Sequence, residues 1–498
     1  MPASIKTKDS LYKDLKKNLN YLAEEDLVFL DKVYNFAVDS HVNQERKTGE
    51  AYICHPLRTA LELANLKMDT ATIASAILHD TIEDTDVTED ILRKQFGEEI
   101  AFLVKGVSKV GGLKYKNVSE EDKMVENFRN MILAMAQDIR VVIIKLADRL
   151  DNMKTLWVLP KEKQLRIAKE TLDIYASIAY RLGIGVIGAE LEDLAFPYVL
   201  PQEYRLVQQM IGKKYKEKES FLLKTAPKLK KYLEDNGVKP QQIQFRAKHL
   251  FSVWRKLRKE DMDINKVYDL VALRIIVGTT EDCYTTLGLV HHLWRPLPNR
   301  FKDYIAIPKP NGYKSIHTTV IAEEGQVIEV QIRTNVMHQE AEYGITAHWF
   351  YDEAKKKKAY KKGIKTDFKA LSKIAWVSQL QKWQQSFTDS SQFLESIKID
   401  FFSDRIFALT PKGDVIDMPE GATPVDFAYC IHNDVGNSCM GARVNNSMVS
   451  LDYKLKSGDV VEILTKRGKK PSSSWLDFVK MTTVRKKIQE EIRKNNDR

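Results

Sequence analysis

No stretch of this chain is apolar for long enough to cross a bilayer. Its most apolar run, VVIIKLA at 141–147, is far shorter than the ~20 residues a membrane helix requires, so no membrane partner is expected. The opening MPASIKTKDSLYKDLKKNLNYL carries no apolar h-region, and no secretory signal is read there. Cysteine is scarce. Cys54, Cys283, Cys430 and Cys439 are scattered with no CxxC pair, which argues against a disulfide framework or a thiolate zinc site and fits a reducing cytoplasm. A GxxxxGK[ST] loop is missing as well, so any nucleotide is expected to be held by side-chain cations and metal rather than a backbone-amide cradle. Long internal repeats are also absent.

What is present is a chain of 498 residues, 43% hydrophobic and 29% charged. That is globular in composition and too long for one ordinary core, with about three domains as the prior. The formal charge of +10 and a pI near 9.0 suit polyanions such as nucleotides, RNA or an anionic membrane, without choosing among them.

From about 10 to 200 apolar residues recur at three- and four-residue spacing, clearest in TATIASAILHDTIEDT and DIRVVIIKLADRLDNMKTLWVL, and predict an all-helical domain over 1–200. The Lys-rich stretch 201–235 reads as a helical connector. Strand-like runs then appear: VYDLVALRIIVG ends at a glycine, and SIHTTVIAEEGQVIEVQIRT reads as two strands around a Glu-Gly turn. With flanking helical segments they predict a mixed α+β domain over 236–352. A Lys block and helix follow at 353–398. Over 399–466 a strand hairpin, a helix opened by Thr423-Pro424 and a closing strand suggest a β-grasp module. Residues 467–498 begin a charged amphipathic helical region.

Two constellations carry chemistry. In AILHDTIEDT, His79 and Asp80 are adjacent, with Glu83 and Asp84 each four residues later, so the pairs stack on neighbouring faces of one expected helix. His55 in YICHPLRTA and Asp148 in KLADRLDNM are candidates to complete a metal site. Two imidazoles and two carboxylates without thiolate suit Mn²⁺, Fe²⁺, Zn²⁺ or Mg²⁺. Glu83 and Asp84 would then manage the attacking water or the leaving oxygen. The plainer reading of a lone His-Asp pair is a satisfied core histidine beside a solvated acid. Asp148, Asn152 and Thr155 share a helical face, while Arg46 and Lys47 lie eight or nine residues before His55 as candidate cations.

The second constellation, RFKDYIAIPKPNGYKSIHTTV at 300–320, sets Arg300, Lys302, Lys309 and Lys314 around Tyr313 and His317. Cations interleaved with a tyrosine fit a base-stacking, phosphate-binding surface, although a basic surface loop has the same composition. Downstream, Ile328, Val330 and Ile332 alternate with Glu329, Gln331 and Arg333. Asp269 is placed to join Glu329 on Mg²⁺, and Arg246, Lys248 and Ser252 offer contacts for triphosphate oxygens.

Taken together, AYICHPLRTA, AILHDTIEDT, KLADRLDNMKT, FRAKHLFSVWRKL, YDLVALRII, the 300–320 segment and IEVQIRT resemble, in order, the long RelA/SpoT homologues. These are the bacterial stringent-response enzymes that make and degrade the alarmones ppGpp and pppGpp. The resemblance implies a Mn²⁺-dependent HD-type hydrolase domain with ligands His55, His79, Asp80 and Asp148. It makes Glu83 and Asp84 the catalytic acids and sets Arg46, Lys47, Asn152 and Thr155 on the nucleotide. It further implies a nucleotidyltransferase-like synthetase domain that moves pyrophosphate from ATP to the 3′-hydroxyl of GDP or GTP. There Asp269 and Glu329 would be the Mg²⁺ and catalytic carboxylates, and Tyr313 would stack on guanine. Arg246, Lys248, Ser252, Arg274, Lys302, Lys309, Asn311, His317 and Gln331 would line the pocket. The 399–466 module resembles the family's TGS domain, with His432 in YCIHNDVG, and implies contact with uncharged tRNA on the ribosome.

An intact HDxxED and a basic RFKD point to both activities in one chain. Two other readings are a hydrolase whose synthetase-like domain senses nucleotide, and an RNA-binding regulator. Opposing activities would waste ATP unless they alternate, with control expected across 201–235. The resemblance runs from about residue 25 to 490, and the sequence stops soon after SSSWLDFVK, the opening of the family's helical region, where long family members continue into further regulatory domains.

Overall fold

The computed structural model describes residues 7–111, 120–309, 312–344, 396, 399–400 and 405–496. Asn311 and all of the expected 353–398 linker and helix except residue 396 lie outside them. The chain divides into two compact units, one of residues 1–116 with 127–381 and one of 117–126 with 382–498. Among the described residues no helix is long and apolar enough to cross a membrane.

The first unit begins with helices α1 (Lys8–Asn18), α2 (Glu24–Ser40), α3 (Cys54–Asn65), α4 (Thr70–Leu78), α5 (Thr81–Asp84), α6 (Glu89–Phe96), α7 (Glu98–Gly111), α8 (Glu120–Gln137, of which 127–137 belong to this unit) and α9 (Ile139–Lys154). They continue as α10 (Lys161–Glu170), α11 (Ala176–Arg181) and α12 (Gly185–Val199). Leu57 and Leu63 of α3, Ile73 and Ile77 of α4, Val104 and Val107 of α7, and Val142, Ile144 and Leu146 of α9 are all buried, so these four helices build the core that frames the first site. AILHDTIEDT is not one helix. The chain breaks at His79–Asp80 between α4 and α5, and two side chains take over the carbonyls left behind. His79 Nδ1 sits 2.8 Å from the Ala76 carbonyl oxygen, and the Thr81 hydroxyl donates to that of Leu78 at 2.7 Å.

Residues 201–235 form a single helix, α13 (Pro201–Asp235), opened by a proline where no N–H partner is needed. It buries Val207 and Ile211 in one apolar cluster and Leu222, Leu229 and Leu233 in another. Next come β1 (Gln242–Ala247), α14 (Leu250–Lys259), β2 (Val271–Val277), α15 (Thr280–Leu293), β3 (Arg295–Pro296), β4 (Lys302–Asp303), β5 (Ile316–Ile321), β6 (Val327–Thr334) and α16 (Asn335–Tyr343). The sheet runs β1-β2-β6-β5-β3 with β4 paired to β5. Only β2 and β6 pair in parallel, with Ala272 opposite Glu329 and Arg274 opposite Gln331. Strand periodicity sends Val271, Leu273, Ile275, Ile328, Val330 and Ile332 into the core with α13 and α15. The residues between them, Ala272, Arg274, Glu329, Gln331 and Arg333, take the opposite face. The expected Glu-Gly turn joins β5 to β6, with Glu324 and Gly325 at φ of 56° and 69°.

The second unit holds the hairpin β7 (Arg405–Leu409)–β8 (Val415–Pro419), then α17 (Pro424–Ile431) and α18 (Asn433–Asn437). It continues with β9 (Cys439–Val444), β10 (Ser447–Val449), β11 (Val461–Thr465) and α19 (Thr482–Asn496). The order β10-β9-β11 and a parallel bridge Leu409↔Val460 surround a core that includes Phe427, Val444 and Val461. Thr423 and Asp426 cap α17 reciprocally. Buried Asp426 also accepts the backbone N–H groups of Lys480 and Met481 at 3.1 and 2.9 Å, fixing the approach to α19.

Candidate functional site

His55 lies in the first turn of α3, followed by Pro56 where a missing N–H costs nothing. His79 and Asp80 occupy the break between α4 and α5, and Asp148 lies on α9. Ligating atoms of His55, His79 and Asp80 fall within 4.8 Å of one another. Asp148 Oδ1 is 3.1 Å from His55 Nε2 and 3.8 Å from His79 Nε2. Each imidazole has its Nδ1 engaged from behind, His55 by Asp151 at 2.6 Å and His79 by the Ala76 carbonyl, which turns both Nε2 atoms inward. His79 Nε2 is buried and lies 3.1 Å from Asp80 Oδ1, yet out of line for a hydrogen bond to it. An orphaned imidazole nitrogen facing two carboxylates is what a divalent cation would satisfy, and the donor set fits one.

The charges agree with that geometry. Burial disfavours a charged His79, yet the Asp80 and Asp148 carboxylates push its pKa up to about 9. Burial opposes ionisation of Asp148, but Lys145 at 2.7 Å and the two histidines hold it well below the ordinary carboxylate range. Glu83 is exposed. Partial desolvation, then the neighbouring Asp80 and Asp84 charges, raise its carboxyl against the pull of Lys145. Asp84 accepts the Tyr52 hydroxyl at 2.6 Å, and the same hydroxyl lies 3.1 Å from Asp80. Arg46 donates to the Asn152 side-chain oxygen at 2.6 Å, and Asn152 donates to Asp148 at 2.6 Å. Lys47 is exposed on the turn that Gly49 closes onto the Arg46 carbonyl. Thr155 ends α9 with its hydroxyl 3.4 Å from the Asp151 and Asn152 carbonyls.

A second cavity of about 510 Å³ opens on the polar face of the sheet. Arg246, Lys248, Ser252, Asp269, Arg300, Lys302, Lys309, His317, Glu329 and Gln331 all line it. Small Ala272, opposite Glu329 in the parallel register, leaves it room. Tyr313 and Arg274 are not on its wall. Tyr313 stands behind His317: its hydroxyl meets His317 Nε2 at 2.8 Å, and His317 Nδ1 meets Glu329 at 2.7 Å. Burial lowers the His317 pKa, and the two contacts assign the neutral tautomer, with Tyr313 donating to Nε2 and Nδ1–H donating to Glu329. Burial opposes ionisation of Glu329, but that donor holds its pKa down.

Asp269 Oδ2 is 2.6 Å from Lys248 and also pairs with Lys256. Burial would raise Asp269, but the two ammonium groups outweigh it and hold the carboxyl at about 2. Burial and the Lys256 charge lower Lys248 to about 8. Asp269 Oδ1 is buried and unpartnered, an oxygen free for a hard cation. Arg274 pairs with Glu342 of α16 at 3.0 Å, and Glu342 also reaches Arg333 at 2.9 Å. In the second unit His432 is exposed and caps α18, its Nδ1 accepting the Asp434 N–H at 3.2 Å.

Sequence reasoning passed over several participants. Lys256 lies four residues after Ser252 on α14, a spacing that offers it to the same face. Arg58 lies three residues after His55 on α3, and Asp151 three after Asp148 on α9, the same helical signal, whereas Tyr52 sits in the turn before α3. Tyr180 and Ala189, which bring α11 and α12 to the second cavity, carry no local signal.

Comparison with known proteins adds three family models. An HD domain matches residues 34–185, a region found in RelA / SpoT proteins matches 245–356, and a TGS domain matches 406–465. A GTP pyrophosphokinase of Myxococcus xanthus is 49% identical over 94% of this chain and 61% of its own length. A guanosine-3′,5′-bis(diphosphate) 3′-pyrophosphohydrolase of Aquifex aeolicus is 47% identical over 97% of this chain and 67% of its own. The bifunctional (p)ppGpp synthase/hydrolase SpoT of Escherichia coli is 42% identical over 94% and 65%. The chain thus spans about two thirds of the length of these relatives. With near-complete coverage of its own residues at this identity, the helical, mixed-sheet and strand-rich regions already described are those of the RelA/SpoT homologue family, to which the chain belongs.

Proposed function

We propose that this chain both makes and degrades ppGpp and pppGpp. The observation that carries the reading is the presence, in one compact unit, of a His/Asp cluster with an orphaned inward nitrogen on His79 and a cation-lined cavity with an orphaned oxygen on Asp269. The curated relatives bear the names of both activities.

For hydrolysis, Mn²⁺ held by His55, His79, Asp80 and Asp148 would supply Lewis-acid polarisation of the scissile phosphate. Glu83 takes the proton of the attacking water, Tyr52 steadies Asp84 beside it, and Arg46, Lys47, Asn152 and Thr155 hold the nucleotide. The products are GDP or GTP and pyrophosphate. For synthesis, Mg²⁺ on Asp269 and Glu329 would neutralise phosphate charge. Arg246, Lys248, Lys302 and Lys309 hold phosphate oxygens, and Glu329 accepts the proton of the attacking 3′-hydroxyl. Tyr313 steadies His317 against Glu329 until an acceptor guanine draws its ring into the cavity. The TGS region, with exposed His432, contacts uncharged tRNA on the ribosome, and the chain acts in the cytoplasm, where its nucleotides are found and its cysteines stay reduced.

One experiment tests these roles. Protein with ATP, GDP and Mg²⁺ should make ppGpp, and protein with ppGpp and Mn²⁺ should release pyrophosphate. Asp269→Ala or Glu329→Ala should silence only the first reaction, and His79→Ala or Asp80→Ala only the second. Uncharged tRNA with ribosomes should stimulate synthesis in a His432-dependent way. A first tube without ppGpp sinks the synthetase reading, and unchanged ppGpp in the second sinks the hydrolase reading.

A further inference from the structure

Asp151 has entered so far only as the group behind His55 Nδ1, yet it is among the most constrained side chains of the first site and reaches beyond that histidine. Its side chain is 2% exposed, and three groups converge on it. Oδ2 lies 2.6 Å from His55 Nδ1 and 3.1 Å from Arg46 Nη1. Oδ1 accepts Arg58 Nε at 2.5 Å, and Arg58 is anchored on its far side by a two-pronged contact with Glu50 at 2.7 and 2.8 Å. Glu50 balances the Arg58 charge, so Asp151 remains free to serve His55 and Arg46.

These contacts close a ring. Asp148 accepts from Asn152, Asn152 accepts from Arg46, Arg46 donates to Asp151, Asp151 holds His55 Nδ1, and His55 Nε2 returns to Asp148. Two of its members are the metal-ligating His55 and Asp148, and two are the nucleotide-side Arg46 and Asn152. We infer that Asp151 is the positioning residue of this ring: it fixes the His55 imidazole with Nε2 toward the cation and sets Arg46 for the nucleotide. The inference rests on the proposed hydrolase reading, in which His55 ligates metal. A carboxylate behind a ligating imidazole fixes ring and tautomer and strengthens the ligand, and its loss typically weakens metal binding by roughly 10- to 100-fold. An asparagine keeps the shape but offers one oxygen to donors that now use two.

The full chain carrying Asp151→Asn should bind Mn²⁺, followed by the electron paramagnetic resonance of the free ion, roughly 10- to 100-fold more weakly than the parent. Raising Mn²⁺ should restore kcat for ppGpp hydrolysis while KM for ppGpp stays elevated, because Arg46 has lost the Asp151 carboxylate and is left with the Asn152 amide to place it. A purely structural role would not produce that split. Arg58→Gln, which removes a support of Asp151 and leaves the ring intact, should shift Mn²⁺ affinity in the same direction by less. Thermal melting and ppGpp synthesis report on folding in both variants. Parent-like Mn²⁺ affinity in a folded Asp151→Asn protein overturns the inference, as does a drop in Arg58→Gln larger than in Asp151→Asn. Should the parent bind Mn²⁺ and leave ppGpp intact, the substrate reading fails and the Mn²⁺ titrations still decide the role of Asp151.

Discussion

Glu83 and Asp84 are sequence neighbours with unequal surroundings, and the difference assigns their work. Asp84 is committed to the Tyr52 hydroxyl, whereas desolvation and the adjacent Asp80 and Asp84 charges raise the Glu83 carboxyl above its ordinary range. A base must be deprotonated to act. With its pKa raised, Glu83 loses that form as pH falls through a value higher than an ordinary glutamate's, so the acid limb of kcat/KM for hydrolysis should stand above that value. Glu83→Gln should cost roughly 10²- to 10⁴-fold in rate and abolish the limb, leaving synthesis unchanged. A limb that persists in the variant would assign the proton transfer elsewhere. At this scale the ligands His55, His79, Asp80 and Asp148 were legible because their residue types announce the chemistry. Asp151 and Arg58 were not, because an aspartate and an arginine 93 positions apart gain meaning only once α3 and α9 pack together. Lys248 was read as a phosphate contact, but its pairing with Asp269 emerged only from the packing of β1 and α14 against the start of β2.

Among elements, the join between the helical region and the mixed sheet lies where no motif pointed. Asp193 of α12 accepts the N–H groups of Leu250 and Phe251 at 3.2 and 2.9 Å and meets His249 at 2.9 Å, so a side chain of one region caps the first turn of α14 in the other. Beside it Glu192 joins Tyr180 at 2.8 Å to Arg255 at 3.3 Å. Helix α14 carries Ser252 and Lys256 into the second cavity, which makes this cap a direct route between the regions besides the covalent path through α13. Losing such a cap costs about 0.5–2 kcal/mol. Asp193→Ala should therefore lower the melting temperature modestly and reduce kcat/KM for ATP in synthesis about tenfold, as about 1.4 kcal/mol in a transition state does, with Mn²⁺ binding unaltered. Unchanged synthesis would mean that the cap stabilises α14 without positioning its side chains. Long periodic helices and the β5–β6 hairpin were readable from apolar spacing and a Glu-Gly turn. The break at His79–Asp80 was not, since its helix-like residue types hide side-chain capping of the Ala76 and Leu78 carbonyls. Nor was the β9–β10 hairpin read, although Asn445 and Asn446 at φ of 50° and 66° form the left-handed pair that such tight turns favour.

For the molecule as a whole, its four cysteines report how the packing is partitioned. None forms a disulfide, and burial is the leading cause that raises each thiol: Cys54 in direction, Cys283 and Cys430 up to about 12, Cys439 up to about 11. The thiolate is the nucleophile, so at pH 8 a raised pKa leaves little of the reactive form, and burial of Cys54, Cys283 and Cys439 blocks access to that little. Native protein should react with a thiol reagent far more slowly than protein in denaturant, where ordinary thiols titrate near 8.5. The order of labelling is also constrained. Cys54 and Cys283 belong to the first unit, Cys430 and Cys439 to the second. Within the first unit, the Asp193 cap and the shared packing of α13 tie the helical region to the sheet. As denaturant rises, mass spectrometry of alkylated peptides should find Cys54 and Cys283 becoming reactive together, and likewise Cys430 with Cys439. Labelling of Cys54 while Cys283 stays protected would show that the helical and sheet regions unfold separately. In that case a contact through α12 and α14 is too weak to carry a signal between the two sites, and control would have to act on each of them independently.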